Sequence, residues 1–140
     1  MEIKGLIAPR KISFEFTGCT SPVELWAKWS SSTLNIDGAP LVRVQKQRWM
    51  RKFRVCSGAA AECTGSDQTR TSGCDAELTL IKVKGSAWWT FGFEAFGELE
   101  RIQDDLAATV ALLASRDPPR LLRGEASSYP RWLASRVEGT

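Results

Sequence analysis

Residues 11–17, KISFEFT, set Ile12, Phe14 and Phe16 against Ser13, Glu15 and Thr17, the two-residue period of a half-buried strand. Residues 23–30, VELWAKWS, repeat the pattern, with Val23, Leu25, Ala27 and Trp29 on one side and Glu24, Trp26 and Lys28 on the other. The intervening Gly18 to Pro22 reads as the short loop of an antiparallel hairpin. Asn35-Ile-Asp-Gly38 signals a turn, and Pro40 admits an extended segment after it.

VRVQKQRWMRKFRV, residues 42–55, comes next. Lys, Gln, Arg and Met are good helix formers, but valines at both ends and the preceding turn chemistry favour a strand. The region near 57–75, rich in Gly, Ser, Thr and Ala, reads as a mobile loop. ELTLIKVKG, then AWWTFGFEAF after a turn at Gly85-Ser86, supply two further strands. In the last of these, Trp89, Phe91, Phe93 and Ala95 oppose Trp88, Thr90, Gly92, Glu94 and Phe96. Large apolar groups on both sides predict a central strand covered on both faces.

The period then changes. Leu99, Ile102, Leu106, Val110 and Leu113 recur at helical steps, which predicts an amphipathic helix over 98–116. Glu98 and Glu100 suit its first turn, Arg116 its last, and Asp117-Pro-Pro119 its stop. Residues 117–140 form an irregular tail in which Tyr129-Pro-Arg-Trp-Leu133 can begin a short helix. Strands followed by a helix predict a single α+β domain over residues 1–140. Its expected form is an antiparallel twisted sheet, or a partly closed barrel, of about five or six strands, followed by one long amphipathic helix packed on it.

Composition narrows the function classes. At 140 residues, 43% hydrophobic and 25% charged, the chain can bury a real core, whereas a net charge of +3 is too mild for a general polyanion coat. The charge is unevenly placed. Arg43, Lys46, Arg48, Arg51, Lys52 and Arg54 lie between Asp37 and Glu62 with no acid among them, so this segment is +6. Histidine is absent, which removes the usual general base and any Ser-His or Cys-His nucleophile. No apolar run spans a bilayer and the N-terminus lacks a signal-like apolar centre, so no membrane partner and a cytoplasmic location are expected. Four cysteines without paired zinc-ligand spacing read as reduced thiols, and no cofactor or metal is expected.

Taken as a strand, the basic run separates into two rows. Val44, Lys46, Arg48, Met50, Lys52 and Arg54 form one; Arg43, Gln45, Gln47, Trp49, Arg51, Phe53 and Val55 form the other. Same-face neighbours about 6.5–7 Å apart can grip successive phosphates, making Lys46, Arg48, Lys52 and Arg54 candidate anion ligands. Trp49 and Phe53 point away from them, towards the helix, which weakens a single-stranded nucleic acid as partner. Glu15, Glu24, Glu77 and Glu94 lie on other strands and would neutralise the cations if they shared that face. Glu94, between Phe93 and Phe96, would need a cation if buried.

Six tryptophans add a second surface, with Trp26 and Trp88 as candidate partner anchors. The leading expectation is a non-enzymatic binding module whose basic strand contacts a phosphate-bearing ligand or an acidic protein. A protein-interaction scaffold with tryptophan anchors is the alternative, and a metal-dependent phosphate-processing enzyme is third.

Overall fold

The computed structural model describes residues 2–30, 42–64, 70–121 and 126–137. The expected turn at Asn35 to Gly38, Pro40, and residues 65–69 of the expected loop lie outside them. In chain order the elements are β1 (Glu2–Phe16), β2 (Cys19–Ser30), β3 (Val44–Cys56), β4 (Ala59–Glu62), β5 (Gly73–Val83), β6 (Ser86–Phe96), α1 (Ile102–Ala114) and α2 (Tyr129–Val137). They fall into two compact units, Met1–Val42 with Pro119–Thr140, and Arg43–Pro118.

The α+β class and antiparallel pairing hold, but the described strands make two sheets. One contains β1 and β2; the other has the order β4-β3-β5-β6 and stays open, with β4 and β6 at its ends. The single sheet and the partly closed barrel are thereby corrected. Much of the difference comes from turn chemistry. Thr17-Gly18, Ser57-Gly58 and Lys84-Gly85 each place a residue at φ of 47–51° before a glycine at 78–83°, the two-residue hairpin turn whose twist matches its strands. Such turns leave almost no loop. β2 therefore starts at Cys19 instead of after Pro22, and Ala59–Glu62 pairs with β3 inside the region expected to be a loop.

In the first unit, β1 and β2 pair from Glu2–Ser30 to Phe16–Cys19, with register shifts at Leu6/Ala8 and at Pro9/Ser13. The second shift begins at the residue that cannot donate to a ladder. The expected short helix at Tyr129 is present as α2, within the stretch read as an irregular tail. Its Trp132 is buried and stacks on Tyr129, and Lys4 lies 5.7 Å from the Tyr129 ring centre. Arg131 of α2 reaches Glu24 of β2 at 2.6 Å, and the Trp26 indole N–H donates to the other Glu24 oxygen at 3.0 Å. Burial pushes the Glu24 carboxyl up, but Ser128, Trp26 and the Arg131 guanidinium together hold it below its ordinary 4.5. A depressed carboxylate stabilises the fold above its unfolded value, and this contribution is lost as pH falls through the lower folded value. Followed by the NMR signal of the Trp132 indole, docking of α2 is expected to weaken on acidification below about pH 4.5. Glu24→Gln is expected to weaken it at neutral pH and to flatten the acid limb.

In the second unit, β3 pairs with β5 from Val44–Val83 to Phe53–Cys74, and β5 with β6 from Gly73–Phe96 to Val83–Ser86, both without a slip. The core lies where α1 meets one face of this sheet. Phe53 and Cys74 are fully buried there, with Val55 and Ala76 beside them and Thr109, Val110 and Leu113 contributed by the helix. Glu62 ties the helix end down: one carboxylate oxygen lies 3.3 Å from the Arg51 guanidinium and the other accepts from Arg116 at 2.7 Å. Gly73 is required by close approach: a Cβ there would sit 2.4 Å from the Phe53 carbonyl oxygen.

The helix is shorter than expected, 13 residues over 102–114. Glu98 and Glu100 precede it, Arg116 follows it, and Leu99 is 63% exposed. Its buried side includes Asp105 and Thr109, whose hydroxyl bonds the Asp105 carbonyl at 2.8 Å. Among the described residues, no helix is long and apolar enough to cross a membrane.

Candidate functional site

Cross-strand register decides which side chains share a face. Lys46 stands opposite Ile81, which faces Trp88; Arg48 opposite Thr79; Met50 opposite Glu77; and Lys52 opposite Asp75, which faces Glu94. The structure therefore brings Lys46, Arg48, Lys52 and Arg54 onto one face, but with Asp75, Glu77 and Glu94 in the same rows.

These acids engage their surroundings. Glu77 lies 3.8 Å from Arg48 and accepts from the Thr79 hydroxyl, and Asp75 is bonded by Arg70. Glu94 is exposed, so the dehydrated setting that would demand a cation beside it is not met. Nor is this face simply open to water, since Thr79, Ile81 and Val83 are buried on it and Lys46 and Lys52 are half-buried. A row of cations that reads as bare in one strand is, in the sheet, a mixed-charge surface of modest net field.

The other face carries the feature that strand-by-strand reading missed. Trp49, Leu78 and Phe91 form one cross-strand row, and the row beside it contains Gln47, Leu80 and Trp89. Trp49 is 46% exposed, Leu78 41%, Phe91 37% and Trp89 61%. The two indoles stack across the intervening strand, with ring centres 5.5 Å apart at 29°. Phe91 meets Phe93 edge-on at 5.3 Å. Trp49 was expected to lie under the helix with Phe53; only Phe53 does. The reason is placement: α1 touches β4, β3, β5 and β6 in turn, so it lies across the end of the sheet where Phe53, Val55, Cys74 and Ala76 are buried and leaves Trp49 beyond it.

β6 departs from expectation in the same way. It ends the sheet instead of running through its middle, and most of its residues are exposed.

No known protein family, curated protein or solved structure matches the chain. Function must therefore be read from the geometry of these two faces.

The candidate anchors separate. Trp26 is half-buried in the first unit with its N–H satisfied by Glu24, a structural placement. Trp88, 37% exposed, belongs to the second unit and lies on the cationic face, opposite Ile81 and away from Trp89.

The four cysteines are free thiols. Burial pushes Cys74 up to about 12, and the nearby Asp75 and Asp105 charges add to this against the Thr109 hydrogen bond and Arg70. That thiol is inert at neutral pH. Among the described residues, no three His, Cys, Asp or Glu side chains converge as a metal site needs. An open cleft of about 500 Å³ beside the start of α1 is lined by Thr71, Ser72, Gly97, Glu98 and Arg101; Glu98 and Arg101 give it no single sign of charge.

Proposed function

We propose that the chain is a non-enzymatic binding module that contacts a partner protein through the exposed aromatic face of its four-stranded sheet. The observation that carries this reading is the stacked Trp49–Trp89 pair, half-exposed and continuous with Leu78 and Phe91. Contiguous exposed apolar surface of this kind marks interaction sites, and tryptophan is the residue most often found as their energetic anchor. Arg51, Lys82, Gln45 and Gln47 share that face and supply a polar, cationic rim, which suits a partner with an apolar anchor set among acidic residues.

The basic row then has a secondary role. Lys46, Arg48, Lys52 and Arg54 share their face with three carboxylates, which disfavours the tight grip on phosphates that a bare row would give. A phosphate-processing site is less favoured again, since Asp75 and Glu77 already hold Arg70, Arg48 and Thr79.

Affinity capture followed by mass spectrometry, comparing wild type with two variants, tests the reading. Partners retained by wild type are expected to be lost with Trp49→Ser/Trp89→Ser, with an affinity drop of about 30-fold or more for paired hot-spot residues. They are expected to survive Lys46→Ala/Arg48→Ala. The reverse pattern, with retention that collapses steeply in added salt, would replace this reading by the anionic-ligand one. Enrichment of nucleic acid by the aromatic face would also overturn it.

A further inference from the structure

α1 covers one end of its sheet face, above Phe53, Val55, Cys74 and Ala76, and crosses all four strands there. In the rows that follow on the same face, Trp49, Gln47 and Gln45 of β3, Leu78 and Lys82 of β5 and Trp89 of β6 are exposed. From the Trp49 row to the Gln45 row is about 13 Å along the strands. A helix with its side chains is about 10–12 Å wide, so the strip has the width of one more helix.

We infer that an acidic amphipathic helix of the partner fills this strip, laid beside α1 as a second helix on the same face. The inference rests on the aromatic-face reading proposed above and specifies what that face takes. Backbone chemistry selects the helix. β5 is paired on both sides from Cys74 to Val83, and ladder N–H and C=O groups lie in the plane of a sheet, not on its face. An extended segment laid over Leu78 and Leu80 would therefore bury its own N–H and C=O groups against apolar side chains, with no backbone to receive them. A helix closes those bonds internally and offers only side chains to the face.

Spacing agrees with this. The strands of Trp49 and Trp89 stand on either side of β5, about 10 Å apart. Anchors at positions i and i+7 of a helix are about 10.5 Å apart along its axis, so one reaches each indole while i+3 and i+4 meet Leu78 and Leu80, the arrangement of helix-in-groove recognition. Charge supplies the sign. The Trp49, Gln47 and Gln45 rows contain no acid. Lys82 borders the strip at one side; Arg51 and Arg116, which share Glu62, border it at the other. Three cations against one carboxylate favour acidic flanks on the incoming helix.

Selection from a random display library of peptides of about 16 residues, enough for four turns, tests the inference on the full chain, with Trp49→Ser/Trp89→Ser as counter-selection. Enriched peptides are expected to be net acidic, with apolar residues at i, i+3 or i+4, and i+7. Bound and isotope-labelled, the best of them should show helical carbon shifts, and a proline at its centre should weaken it about 100-fold. Lys82→Glu should weaken it about tenfold, and replacing the peptide's flanking acids by lysine should restore binding to that variant. Peptides that still bind after Trp49→Ser/Trp89→Ser would overturn the aromatic-face reading and this inference with it. Peptides that need both tryptophans but are proline-rich, basic, or extended when bound would overturn the helix alone and leave the face as a docking site, as would a selection that enriches nothing. Self-association in sedimentation that disappears with the same double variant would assign the strip to a second copy and overturn the inference as well.

Discussion

Phe53→Ala is expected to cost the Arg43–Pro118 unit about 3–5 kcal/mol, the range for truncating a fully buried aromatic. Phe53 has no exposed surface, lies over Cys74 and the helix residues Thr109, Val110 and Leu113, and is overlain by Arg116 at 6.0 Å. Domains of this size carry a total stability of about 5–15 kcal/mol, so the variant should be partly unfolded without denaturant. A urea titration followed by circular dichroism measures it. Trp49→Ala is the internal comparison, being four residues away on the same face of the same strand. Because Trp49 is 46% exposed, its loss should cost about 1 kcal/mol or less. Equal losses at the two positions would show that α1 does not divide the face as described.

Asp75→Ala is expected to have a comparable effect by a different route. Arg70 is 4% exposed, donates to Asp75 and to the Phe53 carbonyl at 2.9 Å, and stacks 5.1 Å from the Phe96 ring. Its Nε is buried without a partner, so the guanidinium has little left to satisfy it once Asp75 is gone. Removing one member of a buried pair leaves the other charge uncompensated and costs about 3–5 kcal/mol. Combining Asp75→Ala with Arg70→Met removes the stranded charge, and the same titration should show much of the loss restored. If the double variant is no better than the single one, the contribution of Arg70 lies in its bond to the Phe53 carbonyl and its stacking, not in the ion pair.

How far these features can be read from the amino-acid order depends on the range of the physics behind them. Alternation is local, and it located β3, β5, β6, most of β2 and the second part of β1, but not the stretch from Glu2 to Arg10, which has no such period and is strand all the same. The ends were less accessible: an X-Gly turn removes the loop, so Cys19 and Ser86 belong to strands that composition alone assigns to turns. β4 was hidden because AAAE has no alternation of its own, its pairing being imposed by Ser57-Gly58 and by β3. The two rows of β3 were legible to the residue. What lay opposite them was not, since Asp75, Glu77 and Glu94 reach the cationic row only through the register of two hairpins. The exposure of Trp49 and Trp89 was masked by a rule that usually works, in which aromatics on a sheet belong to the core.

The burial pattern of β5 has a consequence for alignment. Cys74 and Ala76 are buried on the helix side, whereas Thr79, Ile81 and Val83 are buried on the other. Buried parity therefore reverses between Ala76 and Thr79. A strand that hides one face throughout can slip by two residues and keep its apolar groups inside. β5 cannot, because a two-residue slip keeps every face but carries Ala76 or Thr79 out of the half in which its face is covered. The strand is keyed at both ends in opposite senses, like a bolt threaded left-handed at one end and right-handed at the other. A one-residue deletion between Ala76 and Thr79 would turn Thr79, Ile81 and Val83 onto the helix side and jam it.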